Sequence, residues 1–410
     1  MLSCSFVLPE NSLLNQNYYS LFKGYRVDII FYLVYYWFYS FAYFSSIYFS
    51  TPKHRFRRIT IGTIILFLLM IPVFFTETIP LSVGYIFYSF LVSLIALGQV
   101  FTETTLYEYT SYFHSPKHIN AIQIGKDIGG LILLLFFTIF NGTSASPFVH
   151  LSVNILITIV VMAVAIIYFL FFMSKKKYWD YYVNVLAVDD QSIISDKDIN
   201  VTENNENNDE NEENKDDLLK SKVDQKPEFS LPELKVQPET AAEIYLGIAK
   251  CLYQPIIACF GNYVTTATFF PAFLYKLTSN NPDLNNKQWF AIILMFIFFV
   301  FSLFGKILLR EKYFLKVKPK LVYILIICRI IFIPLWILCV LPKVFKHDVF
   351  PVSFMIFFAL SDGYCGTYMM MHGSSTDQIK RERSSLAMAW SKAMGITIGS
   401  TLTLVLLAFT

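Results

Sequence analysis

The sequence has 410 residues, of which 55% are hydrophobic and only 15% are charged. Because soluble domains carry about 25% charged residues, this composition excludes a soluble enzyme and a nucleic-acid-binding protein. The net charge of +3 conceals an uneven distribution of charge along the chain, since residues 187–240 hold 16 acidic and 6 basic side chains. The remainder of the chain is therefore strongly basic.

Long apolar stretches dominate the chain. A helix needs about 20 apolar residues to cross a hydrocarbon core about 30 Å thick, and ten stretches meet or approach that length. An eleventh, Met1–Phe22, contains Leu8-Pro9-Glu10-Asn11 and is a poor span by itself. Either it lies at the membrane interface, or the sequence begins inside a helix whose first half is missing. The ten predicted spans are, in chain order, Ile29–Ser50, Ile59–Phe75, Val83–Phe101, Ile122–Phe140, Leu151–Met173, Ala241–Phe273, Trp289–Leu309, Leu321–Leu341, Val352–Met371 and Leu386–Phe409.

Residues 187–240 separate about six spans from five. Their acidic, asparagine-rich composition offers too few apolar groups to offset the entropy of ordering, so we expect this loop to be disordered. The sequence predicts an all-α polytopic membrane protein with about eleven transmembrane helices in a 6+5 arrangement. Residues 1–186 would form an N-terminal bundle, and residues 241–410 would form a C-terminal bundle.

The distribution of basic residues predicts the orientation, because cytoplasmic loops carry an excess of Lys and Arg. With Met1–Phe22 counted as a span, we predict that the N-terminus and the loop 187–240 are cytoplasmic and that Thr410 lies outside. The sequon Asn141-Gly-Thr143 falls in an outer loop, in agreement with this. We expect a multi-pass protein of the plasma membrane. The basic loops contain Lys53, Arg55, Arg57, Arg58, Lys175, Lys176, Lys177, Arg310, Lys312, Lys316, Lys318, Lys320, Lys380, Arg381 and Arg383.

Two charged residues lie deep in consecutive predicted spans. Arg329 and Asp362 each fall about ten residues from the cytoplasmic end, and at 1.5 Å per residue both lie roughly 15 Å deep. A charge inside a membrane is costly unless it is paired or hydrated, and it commonly marks a pathway or a gate. We therefore predict that the two side chains pair, either in a gate or as a purely structural ion pair.

Other ionisable residues occupy the predicted cytoplasmic halves of their spans. Lys126 and Asp127 are adjacent on one helix, so they point about 100° apart and do not both face one spot. Lys306 either belongs to a solute site or extends to the cytoplasmic headgroups. The remaining residues of this kind, which a solvated inner vestibule would explain, are Glu103, Glu108 and Lys392.

Sequence motifs of enzymes are absent. The chain has no H-E-x-x-H, G-x-S-x-G, Walker A or dinucleotide-binding pattern. Its six cysteines form no C-x-x-C pair and its six histidines are scattered, so we predict neither a metal site nor a cofactor. Transport would then be driven by the gradient of the solute or by a coupled ion. Gly125-x-x-x-Gly129 and Gly395-x-x-x-Gly399 predict close approaches between helices.

Several segments resemble the equilibrative nucleoside transporters. Arg329–Pro334, Phe354–Tyr364 and Ala387–Ser400 have the order and spacing of the last three helices of that family. Thr265–Phe273, which ends in Phe-Phe-Pro, resembles the seventh helix. The first-half segments that resemble family motifs are Leu8-Pro9-Glu10-Asn11 and Gly125–Gly130. The resemblance implies a major-facilitator-like fold, with the solute bound between two helical bundles.

The chain also departs from the family pattern at positions that line the family's solute cavity. Glu10 replaces a Trp of the first helix, and Lys126-Asp127 replaces a Gln-Gly pair. Ser302 and Lys306 replace an Asp and an Arg of the eighth helix. The resemblance implies that these residues contact the solute, and that ordinary nucleoside selectivity is in doubt. The predicted substrate-binding set is Glu10, Asn11, Lys126, Asp127, Ser302 and Lys306.

These features predict facilitative, alternating-access transport of purine nucleosides or nucleobases. The solute and the bilayer are the expected partners, with no nucleic acid and no obligate protein partner. One alternative is a major-facilitator relative that carries another small solute, perhaps with protons, in which Glu10 or Asp127 titrates. A second alternative is a transport-dead scaffold or sensor, in which the acidic loop is the working part.

Overall fold

A computed structural model describes residues 27–49, 55–78, 81–111, 117–141, 147–168, 170–171, 241–340, 344–345, 347–376 and 381–409. Over these ranges the chain is almost entirely helical and contains no strand. The segment Met1–Phe22, with Glu10 and Asn11, and the loop 187–240 lie outside the described residues. The helices are α1 (Val27–Phe49), α2 (Arg55–Met70), α3 (Leu81–Ser111), α4 (Lys117–Asn141), α5 (Pro147–Tyr168), α6 (Ala241–Phe269), α7 (Trp289–Leu308), α8 (Pro319–Cys328), α9 (Phe332–Val340), α10 (Val349–Thr376) and α11 (Arg381–Phe409).

Each of the ten predicted spans coincides with one of these helices or with a pair of them. The span Leu321–Leu341 corresponds to α8 and α9, which are joined by a 3-10 turn over Arg329–Ile331. Within the described residues, six apolar helical segments have the length and hydropathy to cross a membrane: Val83–Glu108, Lys117–Ile139, Tyr245–Lys276, Trp289–Leu308, Pro319–Val340 and Val349–Ser375. The prediction of an all-α membrane protein is confirmed.

Helix α3 continues ten residues beyond the predicted end at Phe101. The added turns hold the polar sequence Thr102-Glu-Thr-Thr105, which lowers hydropathy without opposing a helix. The hydroxyls of Thr104 and Thr105 each donate to a carbonyl one turn earlier, at 2.7 and 2.9 Å. Because these hydroxyls are satisfied within the helix, they do not end it.

The outer surface of the helices is apolar. Along α8 the side chains of Leu321, Ile324 and Ile327 are 59–65% exposed. An exposed apolar face of this kind is costly in water but suits the hydrocarbon of a bilayer, where the helical backbone satisfies its own hydrogen bonds. Many polar side chains of the bundle, such as Gln99, Glu103 and Asn262, are buried instead.

Glycines allow two helices of the C-terminal half to approach closely. A Cβ added at Gly395 would lie 2.7 Å from the carbonyl oxygen of Phe260, and one at Gly399 would lie 2.6 Å from that of Val264. The predicted small-residue motif of α11 therefore packs against the backbone of α6, as such motifs do in membrane bundles.

We call the helices before the loop 187–240, α1–α5, and those after it, α6–α11, the two halves of the chain. They meet mainly where α1 and α3 pack on α11 and where α4 packs on α7 and α10. We call the end of the bundle where α7 leads into α8 the basic end, because the connecting segment contains Arg310, Lys312, Lys316, Lys318 and Lys320. A cavity lies between the two halves.

Candidate solute-binding cavity

The cavity between the halves is lined by α1 and α4 on one side and by α6, α7, α10 and α11 on the other. Its volume is about 180 Å³. The lining combines aromatic rings with lysine and aspartate side chains, which is a chemistry suited to a small polar solute with an apolar face. The lining residues are Tyr36, Tyr39, Lys126, Asp127, Tyr263, Thr266, Ala267, Phe270, Pro271, Phe298, Phe299, Ser302, Lys306, Asp362, Lys392 and Ile396.

One wall of the cavity is aromatic. The rings of Phe270 and Phe298 stack with centroids 3.9 Å apart, and Phe299 meets Phe270 edge-on at 5.5 Å. On the facing wall Tyr36 and Tyr39 pack edge to face at 6.5 Å. Planar aromatic surfaces of this kind bind planar heterocycles with little loss of side-chain entropy.

An ion pair crosses between the halves at the cavity. The Lys306 ammonium lies 2.5 Å from Asp127 Oδ1, and the Ser302 hydroxyl donates to Asp127 Oδ2 at 2.9 Å. Lys306 is only 5% exposed, although it sits near the end of α7. Lys306 therefore does not extend to the headgroups. Its side chain lines the cavity instead.

Lys126 takes its partner from the N-terminal half, although it also lines the cavity. Its ammonium pairs with Glu103 of α3, which is fully buried. The phenol of Tyr39 donates to the other oxygen of Glu103 at 2.7 Å. The 100° between adjacent residues thus directs Lys126 to α3 and Asp127 to α7, while both remain at the edge of one cavity.

Arg329 and Asp362 lie together in the C-terminal half. Their nearest atoms are 3.4 Å apart, and both side chains are buried. The hydroxyl of Thr266 bridges them, because it accepts from Arg329 at 2.7 Å and donates to Asp362 at 2.5 Å. Asn262 donates to the same carboxylate oxygen at 3.0 Å, and Arg329 also donates to the Ser361 hydroxyl. The pair thus belongs to a hydrogen-bonded network of α6, the 3-10 turn after α8, and α10, with Asp362 at the cavity.

Lys392 of α11 forms a second contact between the halves. Its ammonium donates to Gln123 Oε1 at 2.9 Å, and the amide of Gln123 donates to the phenol of Tyr107 at 2.8 Å. The ammonium also lies 4.9 Å from the centre of the Tyr263 ring, within cation–π range.

The prediction of a solvated vestibule around the acidic residues of α3 is wrong. Glu103 and Glu108 are both fully buried. Glu108 accepts a hydrogen bond from Arg58 of α2 at 3.0 Å. Ion pairing between helices, rather than hydration, therefore stabilises these carboxylates.

From the predicted substrate-binding set, the structure brings together Lys126, Asp127, Ser302 and Lys306. Asp362, predicted as a partner of Arg329, also lines the cavity, whereas Arg329 lies behind it. Sequence reasoning missed other residues of this site. Asn262 and Thr266 of α6 were a detectable signal, because their i, i+4 spacing places two polar groups on one face of an apolar helix. The repeated tyrosines of α1 were a second. The missed residues are Tyr36, Tyr39, Gln123, Asn262, Tyr263 and Thr266.

The fold is shared with solved structures of membrane transport proteins. The chain resembles the E. coli fucose:proton symporter, with a TM-score of 0.55 and 13% identity, over 100% of this chain and 90% of that one. It also resembles the major facilitator superfamily proton:xylose symporter, with a TM-score of 0.56 and 10% identity, over 98% and 87%. A bacterial homologue of the iron transporter ferroportin matches with a TM-score of 0.55 and 12% identity, over 100% of this chain and 90% of that one. These likenesses show a major-facilitator-like fold.

The sequence identifies the family within this class. The profile of the family described as nucleoside transporter matches residues 89–408. The chain therefore belongs to the nucleoside transporter family and is a multi-pass membrane protein.

The matches to individual relatives cover only part of each relative's length. The chain is 28% identical to equilibrative nucleoside transporter 4 of Danio rerio over 167 residues, which are 40% of this chain and 31% of the relative. It is 25% identical to equilibrative nucleoside transporter 1 of Rattus norvegicus over 191 residues, which are 44% and 42%. The chain thus matches less than half the length of these relatives.

Proposed function

We propose that this protein is a facilitative, alternating-access carrier of purine nucleosides or nucleobases. The observation that supports this most strongly is the cavity between the two halves, which combines an aromatic wall with charged and hydroxyl groups. A purine presents two flat faces and a rim of donors and acceptors, and the cavity offers both kinds of partner. Family membership and the transporter fold agree with a non-enzymatic carrier.

The roles of the lining residues follow from their chemistry. Phe270 and Phe298 would stack on the base. Asp127 would accept from an N–H or a ribose hydroxyl, while Lys306 would donate to a ring nitrogen or carbonyl. Since Asp127 and Lys306 now satisfy each other across the halves, a solute that contacts both would loosen this ion pair as it binds.

Alternating access requires the contacts between the halves to break at one end and form at the other. Two hydrogen bonds between the halves lie toward the basic end. The amide of Asn120 donates to the carbonyl of Lys306 at 3.0 Å. The phenol of Tyr245 donates to the carbonyl of Phe44 at 2.9 Å, and the two rings stack at 4.7 Å. We infer that this arrangement closes the cavity at the basic end and that its separation opens it there.

We further propose that the basic end is cytoplasmic, as the excess of Lys and Arg indicates. Residues 1–186 and 241–410 would be the two moving bundles, linked by the cytoplasmic loop 187–240, with a cytoplasmic N-terminus. The plasma membrane remains the proposed location.

Uptake of labelled inosine and adenosine into transporter-deficient cells tests this function. Cells that express the chain should accumulate at least one nucleoside faster than cells with an empty vector, and unlabelled nucleoside should compete. Uptake should persist when the proton gradient is collapsed. Loss of uptake after collapse would favour the proton-coupled alternative, in which Glu10 or Asp127 titrates. Normal surface expression without any uptake would favour the scaffold.

A further inference from the structure

One cation of the cavity has no carboxylate partner among the described residues. Lys126 pairs with Glu103, Lys306 with Asp127, and Arg329 with Asp362. Lys392 instead donates to the neutral amide oxygen of Gln123 and lies over the face of a tyrosine ring, and within the described part of the chain it forms no ion pair. These four cations and three carboxylates therefore leave the cavity with one surplus positive charge, located at Lys392.

The geometry of Lys392 leaves hydrogen-bonding capacity for a ligand. An ammonium group carries three donors and no acceptor. Gln123 Oε1 takes one donor at 2.9 Å, and the Tyr263 ring lies beside the group at 4.9 Å. Lys392 lines the cavity, so a remaining N–H is available there. A charged donor in a site of low dielectric favours a strong acceptor and disfavours another donor.

We propose that Lys392 selects solutes that carry a carbonyl oxygen on the base, so that 6-oxopurine nucleosides are preferred over 6-aminopurine nucleosides. This inference rests on the proposed function. With the base held against Phe270 and Phe298, an exocyclic oxygen accepts from the Lys392 ammonium and replaces or shares the Gln123 contact. An exocyclic amino group presents N–H donors at the same place and leaves the ammonium without that bond.

A competition experiment on the unaltered protein tests the preference without any substitution. Unlabelled inosine and purine riboside, which lacks a group at position 6, compete with labelled inosine for uptake. We expect inosine to inhibit about 10-fold more strongly, which corresponds to about 1.4 kcal/mol. Adenosine should also be weaker than inosine. Equal inhibition by all three nucleosides would overturn the proposal.

Substitution of the lysine tests whether Lys392 is the cause. Lys392→Met keeps much of the side-chain length but removes the charge and the donors, and it should reduce the preference for inosine over purine riboside about 10-fold. Lys392→Arg should retain the preference. Lys250→Met is the matched control, because Lys250 of α6 is exposed and does not line the cavity. An unchanged inosine preference in Lys392→Met, at normal membrane expression, would overturn the assignment.

The two levels of the hypothesis fail differently. If the unaltered protein takes up neither inosine nor adenosine, the proposed function fails and this inference fails with it. If both nucleosides are transported but inosine is not preferred, or the preference does not depend on Lys392, only this inference fails.

Discussion

Buried charges in this protein are stabilised by specific partners, and Arg329 and Asp362 are the most enclosed example. Removing one partner strands the other charge in an apolar interior, which costs about 3–5 kcal/mol. We predict that Arg329→Ala and Asp362→Ala each lower thermal stability in detergent and reduce uptake strongly. The double variant should be less harmed than the sum of the two singles, because the residues share one network. Strictly additive effects would mean that the two residues are not coupled.

Asp127 differs from Asp362 because its partners lie in the opposite half. The substitution Asp127→Asn removes the charge that holds Lys306 and weakens the acceptor for Ser302. We predict at least a 10-fold loss of inosine uptake with normal surface expression, equivalent to about 1.4 kcal/mol. Asp283→Asn is the control, because Asp283 is an exposed aspartate outside the cavity. Normal uptake by Asp127→Asn would show that transport does not require this ion pair.

At the scale of the helices, close packing of α6 and α11 depends on glycine. Gly399→Ala would place a methyl group 2.6 Å from the Val264 carbonyl oxygen and 2.8 Å from Ala267 Cβ. Overpacking of this kind costs about 1–3 kcal/mol, so we predict a lower melting temperature in detergent. The same substitution at Gly261 of α6 meets nothing within 4 Å and should be neutral or stabilising. Equal melting temperatures for both variants would contradict this packing.

The helices could be predicted from the sequence because hydropathy is a local property. Each span is predicted independently of the others, and one error arises where polar residues extend a helix, at the end of α3. Partnerships are not local. Asp127 and Lys306 lie 179 residues apart, and no periodicity relates them. Their contact depends on how α4 crosses α7, which a single sequence does not specify.

The same limit explains why the surplus charge at Lys392 was missed. As a single lysine in the cytoplasmic half of a predicted span, it is indistinguishable in sequence from a residue in a solvated vestibule. Its distinctive property is that its neighbours, Gln123 and Tyr263, carry no charge, and both come from other helices. The consecutive helices of Arg329 and Asp362 made that pair easier to predict, because helices close in sequence commonly pack together.

For the whole molecule, the proposed orientation makes a topological prediction. An epitope tag after Thr410 should bind antibody on intact cells, whereas a tag inserted beside Asn208 should bind only after permeabilisation. The reason is that five predicted spans separate Asn208 from Thr410. An odd number of spans places the two tags on opposite sides of the membrane, with the basic loops inside. Access to both tags from outside would refute the eleven-span arrangement.

The central claim is that the two halves carry a purine nucleoside through the cavity by alternating access. Counterflow tests it most directly, with the purified chain in liposomes preloaded with unlabelled inosine and diluted into a trace of labelled inosine. Without an ion gradient, a carrier should accumulate label transiently above its equilibrium level, because returning carriers exchange inosine for inosine. The account predicts this overshoot and its reduction in Asp127→Asn. Label that stays at the level of protein-free liposomes would contradict the account.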